Sequence, residues 1–362
     1  MTTTIRAAVC RSFGEPMTVE QLTLAAPGPD EVQVAIDACA VCHSDVSYVD
    51  GLWGGDLPAV WGHEAAGRVT AMGPGVDLEI GQSVVVTLIR WCGECNPCQR
   101  GAVVACTATF ALDDQTPLLD GAGGPVSHGL RTAGFAEAVV VHHSQVVPVP
   151  ASVPSPSASL LACGVITGVG AVTNTAAVTP GRSVVVVGCG GVGLNAVQGA
   201  RIAGAAPIVA VDPQETKLAL ARRLGATHAL NPNTDDVPAE VAEITGGQMA
   251  DDVIVAVGHG PVIESSYELV GTMGGLVIVG MPASGVSTRI DPGTVAARNQ
   301  RILGSKMGTS APHVDIPALA ARYQQGELEL DGLISKTFTL DHINAAFDEV
   351  RAGSALRNVI VF

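Results

Sequence analysis

Two regimes of hydrophobic patterning divide the chain. In its first part the apolar runs are short and broken by glycine and proline, as at Ile5–Val9, Val32–Ile36, Val84–Leu88 and Ala138–Val141. Such runs predict β-strands joined by turns. The stretch VVPVPASVPSPS then reads as an extended connection. From Cys163 onward the period changes. Compact apolar strands at Val184–Val187, Ile208–Val211, Val253–Val257 and Leu276–Val279 alternate with helix candidates beginning near Leu194, Gln214, Val237 and Pro261. That alternation predicts a parallel sheet flanked by helices. Near Ile302–Met307 the chain is expected to rejoin its first part, which also receives a last helix at Asp341–Arg351 and a closing strand into Phe362. The expected organisation is two domains: 1–163 with 306–362, and 164–305. A chain of 362 residues exceeds one ordinary core.

Charge narrows the partners. The formal net charge is −15, which disfavours nucleic acid and anionic membranes. No apolar run reads as long enough to span a bilayer. No secretory h-region opens the chain and its nine cysteines are an odd number, which points to a reduced, cytoplasmic setting.

Four of those cysteines lie in one short loop, CGECNPCQRGAVVAC: Cys92, Cys95, Cys98 and Cys106. Four thiolates converging from one loop suit a tetrahedral ion with no open position, and zinc is the usual occupant. A closed site of this kind holds a loop in shape and does no chemistry.

A reactive metal needs a different set, and a dispersed one is present. Cys42-His43-Ser44-Asp45 follows the strand-like run ending at Ile36, Gly62-His63-Glu64 comes one loop later, and Cys163 sits in LLACGVITGVG. Two thiolates, one imidazole and an open position make a catalytic zinc. Asp45 and Glu64 are carboxylates placed to support such a site, since a zinc-bound histidine donates its other N–H to such a group; Glu64 is counted with the metal residues.

The third constellation is Gly188-Cys189-Gly190-Gly191-Val192-Gly193, between an apolar strand and a helix-compatible stretch. In a dinucleotide fingerprint the first glycine makes the tight turn, the second admits the pyrophosphate and the third lets helix pack on strand. Asp212 ends the next strand, where an acid grips ribose hydroxyls and repels a 2′-phosphate. The following Pro213-Gln214 bring no arginine, so the expectation is NAD over NADP.

Taken together, CHSD at Cys42, GHE at His63, the four-cysteine loop, the Cys163 segment, VVVGCGGVG and the ending LRNVIVF resemble the zinc-dependent medium-chain alcohol dehydrogenases over essentially the whole chain. The resemblance implies an α/β fold: a GroES-like β-rich catalytic domain and a Rossmann doubly wound parallel-sheet cofactor domain. It implies two zinc ions per chain, one catalytic on Cys42, His63 and Cys163 and one structural, with NAD as cofactor. Ser44 would take the substrate's proton, Thr167 would lie beside the nicotinamide, and Lys217 would assist Asp212. His43 and Arg357 would face the pyrophosphate. Relatives with a full proton relay carry histidine where this chain has Ser47, so the relay would end in Ser47, a water or another donor.

The resemblance also offers Trp53, Leu88, Phe110, Gly129, Leu130 and Met281 as walls of a pocket for a small-molecule alcohol or carbonyl. Gly129 stands where some relatives carry an aromatic ring, which would leave room for an aromatic or allylic alcohol. A thiol-dependent formaldehyde dehydrogenase is the enzymatic rival; the lack of a cation in Thr107-Ala108-Thr109-Phe110 disfavours glutathione as its thiol and leaves other thiols open. An inactive structural zinc protein is the rival of another class. The segment LDDQTPLLDGAGGPVSHGLRT resembles an insertion of dimeric members, so a homodimer joined at an edge strand is expected.

Overall fold

The computed structural model describes residues 2–362. The chain forms two compact units, Met1–Cys163 with Ala311–Phe362, and Gly164–Ser310.

One long strand organises the first unit. Glu31–Val41 pairs antiparallel with Glu64–Met72, with Ala138–His142 and with the closing strand Arg357–Val361. Val32, Val34 and Ile36 alternate inward and are buried, as their sequence pattern predicts. Register is what matters for function. Ala40 stands opposite Glu64, and Val41 opposite Asn358. Cys42, His63, Glu64 and Arg357, each within a residue or two of those pairs, are therefore delivered to one end of the sheet.

A second sheet closes into a barrel from Thr3–Cys10, Thr18–Leu24, Leu118–Leu119, Pro125–His128 and Ala59–Val60. Two of these strands come from the segment that read as an insertion; it is part of the barrel wall. The last helix, Ile343–Arg351, buries Ile343, Ala346 and Phe347, three positions on one helical face. Phe347 meets Phe135 edge-on at 5.6 Å between ring centroids. Fully burying a side chain of this class stabilises by about 1.5–3 kcal/mol.

The second unit holds a six-stranded, all-parallel sheet. Its order is His228–Leu230, Ile208–Val211, Val184–Val187, Ala250–Val255, Val270–Ile278, Arg301–Gly304. Counted along the chain this is 3-2-1-4-5-6, the doubly wound arrangement that leaves a crevice beyond the first and fourth strands. All four residues of Val184–Val187 are buried, as a strand covered on both faces requires. Arg301–Gly304 belongs to this sheet, so the chain rejoins the first unit at Ala311, not near Ile302–Met307.

The continuous helix Ser155–Thr175 corrects a second expectation. By length and composition it is apolar enough to cross a membrane, with mean hydropathy 1.5 over its best window, yet 89% of that window is buried inside the protein. It is a core helix, and its Leu161–Val165 turn is π-helical, a widening that often marks functional sites.

Candidate active site

Cys42 directly follows the long strand and caps the helix His43–Val49. The carboxylate of Asp45, in the first turn of that helix, organises the site. One oxygen accepts the Cys42 backbone N–H at 2.9 Å; the other accepts the Gly62 N–H at 3.1 Å and lies 3.0 Å from His63 Nδ1. With Nδ1 held there, Nε2 is the nitrogen left to ligate a metal, and it is buried with no hydrogen-bond partner. Both carboxylate oxygens of Glu64 are likewise buried without a hydrogen bond, although one lies 3.4 Å from the Arg357 guanidinium. Ligand atoms of Cys42, His63, Glu64 and Cys163 all fall within 4.8 Å of one another, and all four residues are buried. Buried polar atoms left unpaired are expensive. A dication at their centre would satisfy them together.

The electrostatics point the same way. The Cys42 thiol is pulled far below its usual range by a hydrogen bond with Cys163, against burial and with help from Arg357. The same bond, with burial, pushes Cys163 far up. Two neighbouring thiols shifted in opposite directions are a donor pair whose remaining proton a dication would displace. Burial opposes a charged His63, but Asp45 and Cys42 overcome it and raise its pKa well above normal. Glu64 is pushed up to about 8 by burial, with Arg357 opposing.

The loop cysteines form the second cluster. Cys106 Sγ is 3.8 Å from Cys95 Sγ and 3.7 Å from Cys92 Sγ, and all four cysteines converge within ligand range. Four sulfurs about 2.3 Å from a central ion stand about 3.8 Å apart. None of the nine cysteines is in a disulfide. Cys95 is lowered to about 6 by the backbone N–H of Thr107, then that of Cys98.

In the second unit, Gly188 has φ +90°, and a Cβ on Gly193 would lie 1.7 Å from the Gly188 carbonyl. Gly190 differs: nothing in the protein lies within 4 Å of where its Cβ would be. That open space at the start of the helix Gly191–Ile202 suits a phosphate resting on the amides. Asp212 is buried at the next strand end and accepts N–H groups from Cys189 at 2.8 Å and Gln214 at 2.9 Å.

Known proteins carry the same plan. Residues 28–151 match the alcohol dehydrogenase GroES-like domain, and residues 191–324 match the zinc-binding dehydrogenase domain. An NDMA-dependent alcohol dehydrogenase from Amycolatopsis methanolica is 35% identical, covering 98% of both chains. The chain belongs to the zinc-binding alcohol dehydrogenases. An S-(hydroxymethyl)glutathione dehydrogenase from Paracoccus denitrificans is 34% identical over 99% of both chains. The crystal structure of benzyl alcohol dehydrogenase from Acinetobacter calcoaceticus superposes with a TM-score of 0.92 at 33% identity, covering 99% of each chain.

The remaining residues expected from this dehydrogenase resemblance are dispersed. Ser44 is half-buried and His43 exposed, both in the first turn after Cys42. Ser47 is buried and its hydroxyl donates to the His43 carbonyl at 3.2 Å, so its proton is committed to the helix. Thr167 is buried, with its hydroxyl 3.7 Å from Met307 Sδ. Val192 and Lys217 are half-buried. Arg357, expected at the pyrophosphate, is buried against Glu64 beside Cys42 and Cys163.

The space expected at Gly129 needs correction. A Cβ on Gly129 would lie 2.4 Å from the Val60 carbonyl and 2.5 Å from the Trp61 ring, so the missing side chain opens no space for a substrate. Phe110 packs on His142 and under the Arg90 guanidinium, and it lines a groove of about 300 Å³ with Pro29, Asp30 and Glu31 that none of the metal residues touches. Met281 is 65% exposed. Leu88 is half-buried, and Leu130 packs against the first unit's core. Trp53 meets Tyr48 edge-on at 5.3 Å, and Tyr48 stacks on Trp61 at 4.7 Å. This aromatic trio links the helix carrying Ser44 to the segment carrying His63. Composition alone did not single out Tyr48 or Trp61; their spacing from Ser44 and His63 was the available signal.

Proposed function

We propose that the chain is an NAD-dependent dehydrogenase of hydrophobic primary or secondary alcohols, with the buried Cys42, His63 and Cys163 set holding its catalytic zinc. The observation that carries this reading is the unpartnered Nε2 of His63 facing two thiols and a carboxyl, with Asp45 fixing the ring from behind. When bound, zinc acts as a Lewis acid that lowers the pKa of the alcohol oxygen, and NAD accepts the hydride. The protein's part is positional. Asp45 fixes the imidazole, Cys42 and Cys163 give two negative ligands, and Ser44, two residues beyond the ligand Cys42, is the hydroxyl to take the proton. His43 or a water is a better exit for that proton than Ser47, whose hydrogen is already engaged.

The aromatic trio supports an apolar substrate. Each buried methylene is worth about 0.8 kcal/mol, so benzyl-sized alcohols should exceed ethanol in kcat/KM by roughly tenfold to a hundredfold. The thiol-adduct reading is disfavoured because Arg90 and Arg131, the cations near Phe110, both pair with Asp113. Steady-state kinetics over primary, aromatic, allylic and thiol-adduct alcohols, with NAD, NADP and NDMA as acceptors, test the reading. Formaldehyde with a thiol outperforming every free alcohol would overturn it.

Cofactor choice rests on Asp212. Both its oxygens accept backbone N–H groups, so its charge is anchored at the loop where a 2′-phosphate would sit. Like charges brought together cost several kcal/mol. Asp212→Ser is expected to narrow the NAD-over-NADP preference by about 100-fold, with some loss for NAD because the loop loses its anchor. Equal turnover of NAD and NADP by the wild type would remove the ribose argument.

The assembly we infer is a homodimer. Arg301–Gly304 is the outer strand of the parallel sheet, with Ile302 41% exposed, and such an edge is a pairing template. Sedimentation should give twice the chain mass; a stable tetramer would contradict it.

A further inference from the structure

A buried polar hub lies between the two metal clusters of the first unit, and the reaction as derived above makes no use of it. Its centre is Arg90, 2% exposed, two residues before Cys92 of the four-cysteine loop. The guanidinium donates to Gln145 Oε1 at 2.8 Å, to Asp113 at 3.0 Å and to the Arg131 carbonyl at 3.3 Å. Gln145, with no exposure, donates its amide hydrogens to the carbonyls of Thr87 and Arg131, both at 2.9 Å. Thr87 N–H returns to the Gln145 carbonyl at 3.0 Å. Arg90 and Gln145 thus meet on the Arg131 carbonyl, which accepts from both.

Two routes leave this hub for the catalytic ligands. The Thr87 hydroxyl donates to the Ala162 carbonyl at 2.7 Å, one residue from Cys163. The Arg131 carbonyl belongs to a loop in which Leu130, Arg131 and Ala133 all hold φ between 51° and 59°, a conformation that persists only when its surroundings impose it. The end of that loop grips the His63 segment: Gly134 N–H donates to the Gly62 carbonyl at 2.8 Å, and Phe135 N–H to the Trp61 carbonyl at 2.9 Å. A third route runs to the four-cysteine loop. Asp113 accepts the Phe110 N–H and pairs with Arg131, and Trp91 is bound through Ser144, next to Gln145.

We propose that Arg90 and Gln145 are positioning residues for the catalytic centre, fixing the main chain behind Cys163 and His63 and tying it to the base of the four-cysteine loop. The proposal rests on the catalytic reading of the Cys42, His63 and Cys163 set. A single hub then sets the spacing of two ligands that are 100 residues apart in sequence. Arg is required because one planar fork must reach three acceptors in different directions, which a lysine cannot do.

The test uses the zinc-loaded protein and its cobalt-substituted form. Gln145→Ala is expected to lower kcat by roughly 10–100-fold, the range found when groups behind metal ligands are removed, while KM for NAD stays at the wild-type value. Chelator should extract the catalytic metal faster by a similar factor, and the visible bands of cobalt at that site should shift. Arg90→Lys should fall between wild type and Gln145→Ala. Wild-type kcat, cobalt spectrum and extraction rate in both variants would overturn the proposal, however far the melting temperature drops. If either variant fails to fold, Asp113→Asn, at the partly exposed end of the hub, carries the same test: a smaller loss of kcat with a cobalt shift supports it, and an unshifted spectrum overturns it. A wild-type protein binding only one zinc would instead remove the catalytic reading itself, a result visible before any variant is made.

Discussion

Cys163→Ala is expected to give a folded protein with one zinc per chain in place of two, and kcat/KM lower by about 1,000-fold or more. The activity estimate follows from the several kcal/mol that a Lewis-acid metal contributes to the reaction, at a factor of ten for each 1.4 kcal/mol. The fold should survive because Cys163 sits in a helix whose packing is carried by its neighbours; Leu160, Leu161, Val165 and Ile166 are all essentially unexposed. Deleting one sulfur there leaves a small void. Metal analysis, circular dichroism and steady-state kinetics on the same sample check the three statements together. Full activity in this variant would sink the catalytic assignment, and retention of two zinc ions would show that the ligand set is different.

What could be read in the sequence was what is local. Spacing among Cys92, Cys95, Cys98 and Cys106 encodes a loop that closes on itself, and the structure brings those sulfurs to tetrahedral separations. The run from Val184 through Gly193 likewise carries its own geometry, because turn, open amides and close helix packing are all set within ten residues. Cys42, His63 and Cys163 were reachable only as a set of matching pieces, since nothing local says that Ala40 pairs with Glu64 or Val41 with Asn358. Arg90 was invisible for the same reason in stronger form: its partners lie 23, 41 and 55 residues away. A lone arginine at the end of VVVTLIR was the signal available, a charge in a run otherwise fit for burial. Gly129 misled because an alignment shows that a side chain is missing but not which way it would have pointed. Its Cβ direction is filled by Val60 and Trp61, so the absence serves packing. Register also seats Arg357 beside Glu64, where its charge faces two buried thiols and a carboxyl.

Removing the other metal should show mainly as lost stability. The loop from Cys92 to Cys106 has little core of its own: Cys98 and Val103 are its only buried residues. Backbone hydrogen bonds inside it are short-range turn bonds, such as Gln99 N–H to the Cys95 carbonyl at 3.0 Å. Order of that quality does not hold fifteen residues against their conformational entropy, so the ion must supply the balance. Structural zinc sites in small domains bind with about 10–16 kcal/mol of free energy that is inseparable from folding. If Cys95→Ala forfeits even about 4 kcal/mol of this, the melting temperature should fall by roughly 10 °C in a unit of this size. Limited proteolysis should then cut first between Cys92 and Cys106, while the zinc on Cys42, His63 and Cys163 is retained. Unchanged melting, unchanged proteolysis and two zinc ions in Cys95→Ala would mean that the four thiols are not a metal site. Cleavage outside the loop would mean that the ion stabilises the unit as a whole, beyond its own lobe.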